Sequence, residues 1–245
     1  MPVVFVHGVP ETTAVWDPLR AQLDRSDVIT LALPGFGVAR PAGFGATKEE
    51  YVAWLVDELS AIGEPIDLVG HDWGGGLALR LVSTHPHLVR SWALDAAGLG
   101  SDDFEWHDFA KIWQTPDEGE AFFADQLGAS PEDRGAILEM FGVDHDQAMI
   151  MATWTDQTMV DCILALYRSA TEVGHEWSPD FRDIPAPGAV IIPSEDPFLS
   201  EESARTAAAR AGADIIELPG LSHWWMVQDP AAGAAALQAF WATLD

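Results

Sequence analysis

The sequence predicts an α/β fold, with a mostly parallel sheet of about six strands and a helical cap inserted late in the sheet. Three observations lead there. Short β-branched runs alternate with helical patterns at both ends of the 245-residue chain, as buried parallel strands joined by crossover helices do. The alternation stops between about residue 96 and residue 187, a span that carries only helical patterns. One apolar run, 66–69, passes through Gly70 to Gly76 straight into a helical stretch, so that strand, sharp turn and helix follow without a loop.

In chain order, the predicted strands are 3–6, 28–33, 66–69, 92–94, 189–192 and 215–218. Thr47 stands three residues before Glu50, the spacing of a capping box, and Tyr51, Trp54, Leu55 and Leu59 recur with helical period. That predicts a helix over 48–62. In the central span, helices are predicted over 105–113, 117–127 and 159–170, with another start at Ser130 and Pro131. Pro185 and Pro187 mark the return to the sheet. Ser200 before two glutamates opens a further helix that Gly212 stops, and Asp229 with Pro230 opens the last. The expected organisation is a core of residues 1–97 and 183–245 and a cap of 98–182.

Thirty-nine acidic against twelve basic side chains give a net charge of −27. Such a field argues against nucleic acid or an anionic membrane surface as partner. Cys162 is the sole cysteine, so neither an intramolecular disulfide nor a cysteine metal cluster forms, and a reducing, cytoplasmic setting is expected. No segment reaches the roughly 18 apolar residues of a membrane span. The eight histidines show no ligand spacing: His71 shapes the turn after 66–69, and His85 and His87 mark a helix end. Neither cofactor nor metal is expected. Eleven tryptophans stand beside only two tyrosines.

The chemistry starts at the sharp turn, where Gly70 and Gly74 flank Asp72 by two residues on each side. This is the spacing of a nucleophile elbow, with aspartate where serine is usual. Capping of the following helix is the alternative role for Asp72. His223 follows the last predicted strand and Asp196 follows the one before, giving the chain order nucleophile, acid, histidine. Glu195 and Asp95 are the other acids placed to orient a histidine. At the other end, the turn at His7, Gly8, Val9 and Pro10 can aim the Val9 N–H at Asp72, and the Trp73 N–H supplies a second donor for an oxyanion. His7 supports that turn.

These residues resemble the α/β-hydrolase superfamily, in particular its epoxide hydrolase and haloalkane dehalogenase branch. The likeness is carried by His7-Gly-Val-Pro10, Leu33-Pro-Gly-Phe-Gly37, His71-Asp-Trp-Gly-Gly75, Asp196 and His223-Trp224. It implies an α/β-hydrolase fold in which the strand at Val3 corresponds to the third of the family's usual eight, leaving about six. It also implies Asp72 as nucleophile, His223 as the base for water and Asp196 as its orienting carboxylate. An ionised aspartate attacks an sp³ carbon directly, and the resulting ester is resolved by water.

The leaving group distinguishes the two branches. An epoxide oxygen leaves as a basic alkoxide and needs a proton donor, whereas a halide needs only N–H groups. Ile163-Leu-Ala-Leu-Tyr167-Arg168 resembles the cap segment that places a ring-opening tyrosine, which implies Tyr167 as the acid. A second family tyrosine is missing, and Phe109 takes its position. The dehalogenase alternative relies on Trp73 with a cap tryptophan, and Val9 departs from the Asn or Glu that many dehalogenases carry there. Trp106, Trp113 and Trp154, with Phe109, are expected to line a pocket for a small apolar substrate. A catalytically silent ligand-binding module is the reading from outside enzymology. An uncovered sheet edge raises the prospect of a homodimer.

Overall fold

Val3–Val6 form β1 at the heart of the sheet, and alternation along it serves two cores. Val4 and Val6 point into one apolar cluster, Val3 and Phe5 into the other, and all four are fully buried. The computed structural model describes residues 1–244. Its strands are β1, β2 (Val28–Leu31), β3 (Ile66–Gly70), β4 (Val89–Leu94), β5 (Gly188–Pro193) and β6 (Asp214–Leu218). They pair in the order β2-β1-β3-β4-β5-β6, every neighbour parallel. The chain runs outward from β1 to β2 and then crosses back to β3. At such a reversal the loops leaving the strand ends diverge and open a crevice.

Helices cover both faces. On the N-terminal half these are α1 (Asp17–Arg20), α2 (Lys48–Ile62) and α3 (Trp73–Thr84). The capping box at Thr47 and Glu50 is present, and Gly63 ends α2 with φ 80°. Helices α4 (Asp108–Gln114), α5 (Glu118–Gly128), α6 (Pro131–Met140), α7 (His145–Met151), α8 (Gln157–Ser169) and α9 (Val173–Trp177) all fall between β4 and β5. Then come α10 (Glu201–Ala211), which Gly212 ends with φ 72°, α11 (Trp225–Gln228) and α12 (Pro230–Ala242). Among the described residues no helix is long and apolar enough to cross a membrane.

The departures from the sequence reading have local causes. Helix α4 begins at Asp108 rather than 105, because the His107 side chain accepts the Ala110 N–H and caps it there. Helix α7 was not expected; Asp144 caps it by accepting from Asp146 and Gln147. Helix α9 has only five residues and no side-chain cap, so it leaves no periodic signal. Strand β4 starts at Val89, three residues before the predicted start, since Arg90 is neutralised within the sheet and does not end it.

The partner of Arg90 is Asp67, a fully buried carboxylate in β3. It accepts from Arg90 Nε and Nη2 at 2.8 Å, from Arg25 Nη1 at 2.8 Å and from Ser91 Oγ at 2.6 Å. Burial alone would raise its pKa, but Arg90, Ser91 and Arg25 together hold it below the usual range. A second tie joins core to cap: buried Lys48 places its Nζ 2.7 Å from the Ser169 carbonyl and 2.9 Å from Glu176. Replacing Asp67 by Ala removes the buried carboxylate that Arg90 and Arg25 share and is expected to cost roughly 3–5 kcal/mol in a urea titration. Because the folded pKa of Asp67 is depressed, the wild-type advantage over Asp67→Ala is present at neutral pH. It shrinks as pH falls through the carboxylate range.

Candidate active site

Strand β3 ends at Gly70, and two residues later α3 begins; Asp72 between them has φ 49° and ψ −122°. A side-chain-bearing residue in that region costs about 1–3 kcal/mol, so the surroundings must hold it. They do so from three sides. The Asp72 N–H donates to Asp95 Oδ1 at 2.8 Å. A Cβ at Gly74 would press on the Val6 and His7 carbonyl oxygens, so only glycine lets α3 lie this close to β1. A Cβ at Gly8 would strike the Asp72 carboxyl itself. With that space open, the Val9 N–H donates to Asp72 Oδ1 at 2.8 Å. The second proposed oxyanion donor, the Trp73 N–H, makes no bond to this carboxylate.

The loop after β6 brings His223 over the elbow. Its Nδ1 is 3.0 Å from Asp196 Oδ2, and its Nε2 is 3.9 Å from Asp72 Oδ2, too far for a direct hydrogen bond. Asp196 is fixed in turn by the Phe198 N–H at 2.9 Å. Asp95, the rival orienting acid, is bonded to His71 and the elbow N–H instead of His223. Burial lowers the His223 pKa, but the Asp196 charge and hydrogen bond outweigh it and the net shift is upward. Asp72 moves up to about 6: burial raises it, while His223 and His71 pull it back.

Beneath these residues lies a network that the sequence reading did not foresee. His71 is fully buried, with Nδ1 2.6 Å from Asp95 Oδ2 and Nε2 3.1 Å from Glu11 Oε1. Burial opposes its charge, yet the two carboxylates raise its pKa well above the usual value, so it stands as an imidazolium. Glu11, equally buried, is held at about 2: desolvation opposes its ionisation, and the His71 charge overrides that. Glu11 also accepts from the Gly8 N–H and the Trp224 indole, and Asp95 accepts from the Trp225 indole at 2.8 Å. One signal was available. Glu11 is the only Asp, Glu, Lys or Arg in the first sixteen residues of a strongly acidic chain.

Glu11, His71 and His223 bring ligand atoms within 4.8 Å of one another, the one group among the described residues with metal-binding proximity. The same residues already hold Gly8, Trp224, Asp95 and Asp196. A cation there would compete with the His71 proton.

Two chambers meet at Asp72, His223, His107 and Phe198. The larger, about 370 Å³, is walled by Phe109, Trp113, Phe122, Phe141, Met151 and Tyr167 among others. The smaller, about 300 Å³, passes Trp73, Asp95, Phe104 and Trp106. Phe109 and Trp113 therefore line the first chamber and Trp106 the second. Trp154 lines neither, and packs instead against the two cores. The Trp106 indole is committed to the Ala170 carbonyl at 3.0 Å, whereas the Trp73 and Trp113 indole nitrogens are buried without a partner. Tyr167 stands between those two rings, at 5.5 and 4.8 Å between centroids. His107 uses Nδ1 to accept the Ala110 N–H at 3.2 Å, and burial lowers its pKa to about 4. It is thus a neutral imidazole that carries its proton on Nε2.

Comparison with known proteins bears on the whole chain. The sequence profile of the alpha/beta hydrolase family matches residues 3–236. The chain is 39% identical over 102 residues to 2-hydroxy-6-oxo-2,4-heptadienoate hydrolase of Pseudomonas putida strain F1, a match covering 39% of this chain and 37% of that relative's length. In structure it resembles a Pseudomonas aeruginosa protein provisionally assigned as an epoxide hydrolase, with TM-score 0.77 and 20% identity over 99% of this chain and 89% of that one. It also resembles haloalkane dehalogenase DbeA from Bradyrhizobium elkani USDA94, with TM-score 0.73 and 20% identity over 99% and 91%. At those identities the structural likeness is one of fold.

The charges around Asp72 set its titration. Carbon-13 NMR of aspartate-labelled protein is expected to show one carboxyl with a midpoint near 6 that disappears in Asp72→Asn. His223→Gln removes a cation that lowers this pKa, so the midpoint should move upward; an unchanged midpoint would contradict the electrostatics described.

Proposed function

The chain belongs to the alpha/beta hydrolase family, and from that premise we propose that it opens an epoxide to a vicinal diol through a covalent ester on Asp72. The observation that carries this reading is the carboxylate at the elbow with an imidazole on one side and a phenol in the chamber wall beside it. At neutral pH a group with pKa about 6 is mostly ionised. Asp72 then attacks a ring carbon, the C–O bond breaks, and its electron pair goes to the ring oxygen, which takes a proton from Tyr167. Burial, reinforced by the Asp72 charge, raises the Tyr167 pKa well above that of free tyrosine, which keeps the phenol protonated until a strong base forms. The His107 Nε2–H, on the wall shared by both chambers, supplies the second donor in place of the missing tyrosine.

In the second step His223 takes a proton from water, and the hydroxide adds to the ester carbonyl. The Val9 N–H stabilises the oxyanion, having already bonded the same carboxyl. Collapse releases the diol, and the proton on His223 returns by way of solvent to Tyr167. His223 must be neutral for this step. Its upward-shifted pKa therefore places an acidic limb on ester hydrolysis above the usual histidine value, while the Asp72 limb on ester formation lies near 6.

A specific observation favours a second reading, halide displacement. The unpartnered Trp73 and Trp113 indole N–H groups are the donors that a leaving halide needs. The two readings part at single residues. Tyr167→Phe should lower epoxide opening by about 10²-fold or more and leave bromoalkane turnover intact, whereas Trp73→Phe should do the reverse if halide is the true leaving group. The parent test is His223→Gln incubated with styrene oxide and digested for mass spectrometry. An adduct of epoxide mass on Asp72 is expected; diol formation with an unmodified Asp72 would overturn the covalent route.

A further inference from the structure

Arg134 lies in the second turn of α6 and lines the larger chamber together with Asp72 and His223. Among the described residues its side chain forms no ion pair and no hydrogen bond, and its Nε is buried without a partner. That is unusual in this chain, where acidic side chains outnumber basic ones thirty-nine to twelve. Arg20, Arg25, Arg80, Arg168, Arg205 and Arg210 each meet a carboxylate. Arg40 and Arg182 each donate Nε to a backbone carbonyl instead, whereas the half-buried Arg134 side chain has neither kind of partner.

A guanidinium cannot shed its charge at any pH the protein experiences, and a donor removed from water without a partner is costly. The wall around it is mostly apolar, with Phe122, Phe123, Leu138, Phe141 and Met151, and the neutral Gln126 and Thr155 in the same lining bring no negative charge. We infer that Arg134 anchors a carboxylate at one end of the substrate, whose apolar body fills the chamber while its reactive carbon meets Asp72. The ligand class is an amphipathic monocarboxylic acid, and for the reactive end, which rests on the proposed function, an epoxide borne by such an acid. A carboxylate fits better than a phosphate dianion. One guanidinium matches one negative charge with fork geometry, whereas a dianion would leave a surplus charge in an apolar chamber of a strongly acidic protein.

The binding half is tested without any reaction. Calorimetry of the intact protein with 4-phenylbutyrate and with neutral 4-phenylbutanamide is expected to show the acid binding about 10-fold tighter or more, with the preference falling as salt is raised. Arg134→Met should erase the preference and leave amide binding unchanged, which also shows that the variant is folded; Arg134→Lys should keep part of it. Equal binding of acid and amide to the wild type, or equal loss of both in Arg134→Met, overturns the assignment. Turnover separates this site from the reaction. An epoxide of a phenyl-substituted alkenoic acid should lose kcat/KM by about 10-fold in Arg134→Met while its methyl ester does not. If 4-phenylbutyrate binds through Arg134 and no epoxide opens, the anion site stands and the epoxide reading falls. If acid and ester epoxides open equally well in the wild type, the anion site falls and the reaction stands.

Discussion

One buried imidazolium holds the catalytic end of the molecule together. His71 sits between Glu11 and Asp95 with no exposure to solvent, and those two carboxylates reach the turn after β1, the elbow after β3, the end of β4 and the loop that carries His223. Three charges in a dry interior are tolerable only as a set: remove one and the desolvation of the others is uncompensated. The consequence is geometric. Four separate strand ends are fixed relative to one another by one ring, and the strained backbone at Asp72 is kept in place because its own N–H is tied to the same Asp95. The His71 and His223 rings lie 4.6 Å apart, so the cation beneath also opposes protonation of the histidine above.

Above this polar layer the molecule changes character. The six cap helices contribute aromatic and aliphatic walls to the larger chamber, interrupted by a few polar side chains, among them the Tyr167 phenol and the Arg134 guanidinium. In a medium of low polarity each such group is felt strongly by whatever occupies the space, because no water competes for it. The division of labour follows. On the proposed reading, the strand ends would supply fixed charges for bond making, and the cap individual donors that bear on the leaving group and the shape of the substrate. The large negative charge of the chain lies outside this arrangement, on solvated surfaces where salt screens it.

The fold was largely legible because it rests on local rules. Alternation in β1, the Thr47 and Glu50 capping box and the glycine pairs around Asp72 each announce a backbone conformation within a few residues. Asp72, Asp196 and His223 were legible as a set through their order along the chain, and the pairing of Asp196 with His223 at 3.0 Å follows that order. What could not be read was whatever depends on partners distant in sequence. Glu11 is sixty residues from His71, and nothing near either one says that they meet. Trp154 looks as suitable for a pocket as Trp113 and Trp106 do, but it is packed against the cores, and Trp106, though in the wall of the smaller chamber, has its indole tied to the Ala170 carbonyl. Strand β4 extends back to Val89, beyond its most apolar residues, because Asp67 stands beside Arg90 and neutralises it within the sheet.

The connection of the cap has a consequence for how such a protein changes over time. All six cap helices lie in one uninterrupted stretch from Asp108 to Trp177, while the charged network of Glu11, His71 and Asp95 and the elbow belong to segments outside it. Recombination that exchanges this single stretch would carry phenol, guanidinium and aromatic walls across together and leave the bond-making layer untouched. Substrate preference is in this sense a cassette, heritable as one piece. Point changes within it can accumulate as long as Lys48 still finds Ser169 and Glu176 on the far side of the seam.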